Sequence, residues 1–362
     1  MVMAQPTSPL HVRHVNLARG FRGGERQTVL LIRALARLGV AQSLVCRRDS
    51  PMPGELDGVD IVIIPADHQL GGHFTGDRAD LVHAHEAKAV HWAYLHRWLR
   101  NTPYLLTRRV PQPVKTKLAN RLTYGAAASA VAISSVIEQQ LRRRAWCPVA
   151  RIPSTLAHLP SDPQRVAALR ARFSGRRIVG HIGALVDRHK GQRLLIAAAR
   201  SLRESHPELL FVCLGQGEDE ARLKQESADL DNLVWEGFKD NVGDYLEVMD
   251  LFAFPSRNEG LGSILLDAMD HGVPIVAANV DGIPDIVIDD ASGVLVEPGD
   301  AAALAAAIAA LLDDPARRER LTAGAKQRLG DFTPAAMANA YLALYRRLLS
   351  SLRARAARQH DR

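Results

Sequence analysis

Short β-type runs alternate with longer stretches of helical period along almost the whole chain. In the first half, Val12–Leu17, Ser43–Cys46, Asp60–Ile64, Leu81–His85, Tyr104–Thr107, Ala130–Ile133 and Ala150–Ile152 predict strands. Val29, Ile32, Leu35 and Ala36 recur at the spacing of one helix face, so Glu25–Leu38 predicts a helix that Gly39 closes. The rhythm breaks at Ser154–Pro163 (STLAHLPSDP), where turn residues cluster. It restarts with strand Ile178–Ile182, helix Gln192–Ser205, strand Leu209–Leu214, helix Asp219–Ala228 and strand Leu233–Glu236. Helix Val242–Met249, strand Leu251–Phe254, helix Gly262–His271 and strands Pro274–Ala277 and Val294–Val296 follow, and Pro334–Arg358 closes the chain as a helix. Such alternation places parallel strands beside one another with helical crossovers. The expected architecture is α/β: two Rossmann-like, doubly wound parallel-sheet domains, spanning 1–160 and 161–335. A last segment, 336–362, is expected to be a helix crossing back to the first domain and ending in a basic tail. Open parallel sheets bind ligands outside the carboxyl ends of their strands, so the strand-to-helix loops of both halves should carry the chemistry.

At 362 residues the chain is long enough for about two domains, each with its own core, and needs neither metal nor disulfide as a staple. Cys46, Cys147 and Cys213 are odd in number and far apart, without metal-ligand spacing, which suits a reducing compartment. No run approaches the roughly 18 apolar residues of a membrane span. The opening MVMAQPTSPLHVRH has no basic region followed by an apolar one, so no secretory signal and a cytoplasmic location are expected. Charge is uneven. Residues 1–175 hold 24 Lys and Arg against 11 Asp and Glu, and the remainder holds 22 against 28. A basic first half suits a polyanion, a phosphorylated substrate or an anionic membrane, and equally a merely solvated surface. Nucleic acid is disfavoured, because aromatics are 5% and no zinc-finger, RRM or basic-zipper pattern occurs.

The most informative stretch is FPSRNEGLGSILLDAMDHGVP, Phe254–Pro274. A buried strand ends at Phe254, Glu259 lies in the turn, and Asp267 lies one to two turns into the helix. Gly260 and Gly262 remove side chains where the amides of Gly262, Ser263 and Ile264 would meet an anion at a helix start. Glu259 and Asp267 flank that point and are placed to bind sugar and ribose hydroxyls; alternatively, Glu259 caps the helix and Asp267 is solvated.

This stretch resembles the E-x7-E signature of the retaining glycosyltransferases of family four, which have the GT-B fold, as in bacterial cell-envelope and lipopolysaccharide enzymes. The second acid is Asp267, one methylene shorter than the family's Glu. Asp281–Asp300 is similar to the family's Gly-(Ile/Val)-Pro-Glu segment, and Lys190-Gly191, within Ile182–Leu202, resembles its phosphate-binding turn. Ala184 stands where many relatives carry Arg, leaving Lys190, with Arg188 or the Gly262 amides, to supply charge for a departing diphosphate. The resemblance implies two domains facing a cleft, a base held along Glu236–Lys239 (Gly237 and Phe238 included), and neither metal nor cofactor.

In the first half, Gly23-Gly24 opens a helix and resembles the family's glycine loop near the diphosphate or acceptor. His83 and His85 point the same way on one strand. His85 matches the family's cleft histidine near the donor sugar, whereas a strand histidine is otherwise a satisfied core residue. Arg108 and Arg109 end the next strand and are candidates for phosphate or acceptor contacts. Gly215-Gln216-Gly217 echoes a dinucleotide fingerprint but has Glu220 in place of the third glycine, and the Asp229/Asp231 pair lies in a polar turn; both are weak signals.

The implied activity moves a sugar from a nucleoside-diphosphate donor to a hydroxyl of a glycan or lipid-linked, phosphorylated acceptor such as lipopolysaccharide core. Glu259, Lys190 and His85 are its expected catalytic residues, and Gly23, Gly24, Arg188, Gly237, Phe238, Gly260, Gly262, Ser263, Ile264 and Asp267 its donor ligands. His91–Arg100 and Lys115–Tyr124 are basic and amphipathic, as contact with an anionic inner membrane requires, and an exposed Trp92 or Trp98 would mark it. The competing readings are a sugar-nucleotide epimerase of the same fold and a non-catalytic nucleotide-sugar or polyanion binder.

Overall fold

The computed structural model describes residues 10–360. The chain divides into two compact units at Thr155/Leu156 and again at Phe332/Thr333, so the closing segment returns to the first unit. In the first unit, β1 (His11–Asn16), β2 (Ala41–Cys46), β3 (Val62–Pro65), β4 (Leu81–Ala84), β5 (Tyr104–Arg108), β6 (Ser129–Ala132) and β7 (Val149–Arg151) form one sheet in the order β3-β2-β1-β4-β5-β6-β7. Every pairing is parallel. In the second unit, β8 (Arg177–Ile182), β9 (Leu209–Leu214), β10 (Leu233–Gly237), β11 (Leu251–Phe254), β12 (Ile275–Ala278) and β13 (Val294–Val296) run β10-β9-β8-β11-β12-β13. These too are all parallel. The two Rossmann-like sheets predicted from the alternation are present.

Strand order reverses beside β1 in one sheet and beside β8 in the other, and loops at such switch points diverge to leave a crevice at the strands' carboxyl ends. The helix that follows β1 opens on Gly23-Gly24, and the short Asp187–Lys190 helix that follows β8 ends on Lys190. Residues 152–162 form no helix or strand, and Asp162 then caps the Pro163–Arg172 helix by accepting from the Gln164 and Arg165 amides at 2.9 and 3.0 Å.

Each unit buries its own core. Leu194, Leu195, Ala198, Phe211, Leu251, Ile308 and Leu311 lie inside the second. In the first, the Pro334–His360 helix lays Met337, Ala338, Tyr341 and Tyr345 against Leu31, Leu35, Leu81 and Leu105. That helix is therefore part of the first unit's core. The helices expected from Gln192, Val242 and Pro334 start there, the one expected from Glu25 starts two residues earlier at Gly23, and the one expected from Asp219 starts at Glu220. The expected Gly262–His271 helix is regular only over Ile264–Asp270, because Gly262 sits at φ +83°.

Candidate active site

The turn after β8 and the turn after β11 are locked together by backbone contacts. His189 O accepts from the amides of Arg257 (2.8 Å) and Asn258 (3.2 Å). Gly191, at φ +68°, lies so close to the other turn that a Cβ there would be 2.2 Å from Pro255 O, so only glycine fits. Asp187 helps hold this geometry by accepting from the Arg193 amide and guanidinium, both at 2.8 Å, at the start of the Gln192–Leu202 helix. Lys190 and Glu259, 69 residues apart, meet as a consequence: Lys190 Nζ donates to Glu259 Oε2, with the ammonium 5.1 Å from the centroid of the Phe254 ring.

Glu259 is fixed from its other side as well. Asp281 Oδ2 accepts from the Glu259 amide at 2.9 Å and Glu259 O accepts from Gly282 N at 3.3 Å, so the Asp281–Gly282 segment holds the turn. Glu259 is thus a partner of Lys190, not a cap. Leu265 and Leu266 amides close on Gly262 and Ser263 carbonyls, while those of Gly262, Ser263 and Ile264 make no backbone hydrogen bond among the described residues outside the helix. One cation from the turn after β8 therefore meets one carboxylate and a row of amides beside Gly260 and Gly262 in the turn after β11, the arrangement that binds an anion and a neighbouring polyol.

Other candidates lie elsewhere. Asp267 is 5% exposed, and its Oδ1 accepts from the Ala157 amide at 2.7 Å, so it anchors the 152–162 segment instead of lying in solvent. Arg188 pairs with Glu218 at 2.9 Å. Gly237 ends β10 at φ +72° and Phe238 beside it is 66% exposed. The neighbouring Glu236 is held by Arg172 (2.5 Å), Tyr245 (2.8 Å) and Lys239 (3.4 Å). Gly215-Gln216-Gly217 packs on the turn after β8 through Leu185 N to Gln216 O, 3.1 Å. His181, within β8, is a residue the sequence reading missed. Burial lowers its pKa to about 4, so the ring is neutral and donates from Nδ1 to Ala253 O (3.0 Å). Its sequence signal is a polar residue inside a buried strand.

In the first unit, Gly23 and Gly24 open the Gly23–Arg37 helix, and Arg109 lies over Gly24, its Cδ 3.5 Å from where a Cβ would stand. Arg109 Nε is buried with no hydrogen-bond partner. Arg108 turns away to Gln112 O and the Tyr124 hydroxyl. His83 is a satisfied core residue, bonded to Tyr345 and Thr107 at 2.7 Å each. The β1–β4 register sets His14 beside His83, and His14 Nδ1 lies 2.9 Å from His85 Nε2. Burial keeps His14, His83 and His85 neutral, and Arg109 lowers the last two further. Ring nitrogens of the three lie within 4.8 Å of one another. Hydrogen bonds occupy every one except His85 Nδ1, so a metal ion would have to break several of them.

Among the described residues no helix is long and apolar enough to cross a membrane. Trp92 is fully buried and donates to Gly71 O at 2.7 Å, whereas Trp98 is 80% exposed.

Residues 169–328 match the model of the glycosyl transferases group 1 family. They are a group 1 glycosyl transferase domain. It contains the Lys190–Glu259 pair and all of the second sheet. The chain is 31% identical to alpha-D-kanosaminyltransferase of Streptomyces kanamyceticus over 243 residues, 63% of this chain and 62% of that protein. It is 32% identical to the lipopolysaccharide core biosynthesis glycosyltransferase LpsD of Rhizobium meliloti over 192 residues, 52% of this chain and 54% of that one. The matches thus span less than two thirds of either relative's length. The Anabaena protein HepE, solved in complex with UDP-glucose, has the same GT-B fold at a TM-score of 0.79 and 19% identity, covering 94% of this chain and 100% of that one.

Proposed function

We propose that this chain is a retaining, metal-independent glycosyltransferase that moves a sugar from a nucleoside-diphosphate donor to a hydroxyl of a glycan or lipid-linked acceptor. The observation that carries the reading is the Lys190–Glu259 ion pair beside the Gly262–Ile264 amides, inside the group 1 domain. A leaving diphosphate gains about one negative charge as the glycosidic bond breaks, and a preorganised ammonium and amides stabilise that charge. Glu259, released from Lys190 by the incoming phosphate, would then accept sugar hydroxyls. In the reaction the donor C1–O bond breaks as the acceptor oxygen bonds C1 on the same face, and the acceptor proton passes to the departing diphosphate oxygen. No covalent sugar–enzyme intermediate is involved.

The same reading has the enzyme working cytoplasmically, at an anionic membrane that presents a phosphorylated, lipid-linked acceptor such as lipopolysaccharide core. Its support is in the first unit. Residues 87–137 contain eight Lys and Arg and no Asp or Glu. Trp98, Leu118 and Leu122 are exposed on helices that also expose Arg97, Lys117 and Arg121. An exposed indole among cations is what an interfacial contact needs.

A thermal-shift panel of UDP-, GDP-, ADP- and CMP-sugars tests the donor. A true donor at 100 times its Kd adds about 2.7 kcal/mol to the folded state. Unchanged melting with all of them defeats the reading.

A further inference from the structure

We infer that His14 and Gln42 are positioning residues that lock His85 in the tautomer protonated on Nε2, so that Nδ1 offers a bare lone pair to a ligand hydroxyl. The lock stands on the geometry of the first unit; only the nature of the ligand rests on the glycosyl-transfer reading.

The direction of each hydrogen bond follows from the one before it. Gln42, on β2, donates from Nε2 to the carbonyl of Ile32 at 3.0 Å. A carbonyl can only accept, so the amide orientation is set and Oε1 faces His14 Nε2 at 3.0 Å. His14 Nε2 must therefore carry the proton. The ring is fully buried and neutral, which leaves a lone pair on Nδ1. His85 Nε2, 2.9 Å away, can only be the donor in that contact. His85 is neutral too, so its proton is spent on His14 and Nδ1 is bare. That atom is buried and has no hydrogen-bond partner, in a residue only 2% exposed.

A buried acceptor without a donor is costly, and a hydroxyl removes the cost whereas a phosphate oxygen, having no proton to give, does not. Nearby, Arg109 Nε has the opposite defect, a buried donor without an acceptor. The first unit thus separates two ligand chemistries: a hydroxyl to His85 and an anionic oxygen to Arg109. His14 and Gln42 touch neither ligand and act only by fixing which ring nitrogen of His85 is free.

The test is long-range 1H–15N correlation spectroscopy of the full chain, with the His85 signals assigned by their loss in His85→Gln. The wild type should show a single His85 tautomer, protonated on Nε2. His14→Phe and Gln42→Leu should each give a mixture of both tautomers. His14→Asn, whose Oδ1 replaces Nδ1 as the acceptor, should restore the wild-type pattern and guards against a Phe variant that does not fold. A wild-type His85 protonated on Nδ1, or a single unchanged tautomer in Gln42→Leu, overturns the inference. A broken lock with donor binding intact defeats only this inference. An intact lock with no donor binding defeats only the proposed function.

Discussion

Acidification should weaken the first unit well before its carboxylates titrate, and His14 sets a minimum size for the effect. In the folded chain burial lowers its pKa from 6.5 to about 3, because a charged ring would lie without water among β1, β2 and β4. The unfolded chain therefore takes up the proton first. Stability is full above the unfolded value and is lost as pH falls from there toward the folded one. Between pH 7.5 and pH 5.5 the unfolded ring goes from about one tenth to about nine tenths protonated, while the folded ring stays neutral, which costs about 1.4 kcal/mol. His83 and His85 add in the same direction. The half-buried Glu236 of the second unit does not contribute in this window. Although burial alone would raise its pKa, hydrogen bonds from Arg172 and Tyr245 hold it below the usual value, so its loss comes only at lower pH. The assay is native-state hydrogen exchange of β1 and β4 amides at the two pH values, in wild type and in His14→Asn. The variant should lose about 1.4 kcal/mol less than the wild type. Equal losses would refute the assignment of a neutral buried His14.

Further outcomes follow from the second unit and the basic face. Lys190→Ala should lower transfer about 10²-fold or more without a change in melting temperature comparable to a core mutation, measured as turnover with the donor found in the panel. Gly191→Ala should destabilise the second unit by about 1–3 kcal/mol from left-handed backbone strain alone, with a further cost from the contact with Pro255 O, measured by denaturant unfolding. Asp267→Ala should cost about 1–3 kcal/mol by leaving the Ala157 amide unpaired; a ribose ligand without that structural role would change donor affinity and leave stability alone. Trp98→Ala should weaken sedimentation with phosphatidylglycerol vesicles several-fold, whereas Trp92→Ala should instead destabilise the fold.

The fold was legible because parallel strands buried on both faces read as short apolar runs, and both sheets hold the strands those runs predicted. The second-unit candidates were legible where they are local: Glu259 and the Gly262 turn are neighbours in sequence. That Lys190 reaches Glu259 was not, since their meeting depends on Gly191 packing against Pro255 and on His189 O accepting two amides across the gap. The histidines show the same limit. His83 and His85 share a face by strand period, yet their partners come from β1, β5 and the closing helix, which the sheet order and the return of that helix bring together. Arg108 and Arg109 are adjacent in sequence and diverge because they end a strand, where consecutive side chains point to opposite faces. Asp267, expected to hold a ribose or else to lie in solvent, is bonded to a segment, 152–162, whose lack of periodicity gave no hint of what it would bind.

The central claim is that the Lys190–Glu259 pair holds a diphosphate as it leaves a sugar. A crystal structure of the chain with the donor selected by the panel tests it most directly. The account predicts diphosphate oxygens in contact with Lys190 Nζ and with amides of Gly262–Ile264, and Glu259 turned from Lys190 toward the sugar. A diphosphate bound away from these groups, with the Lys190–Glu259 pair undisturbed, would contradict it.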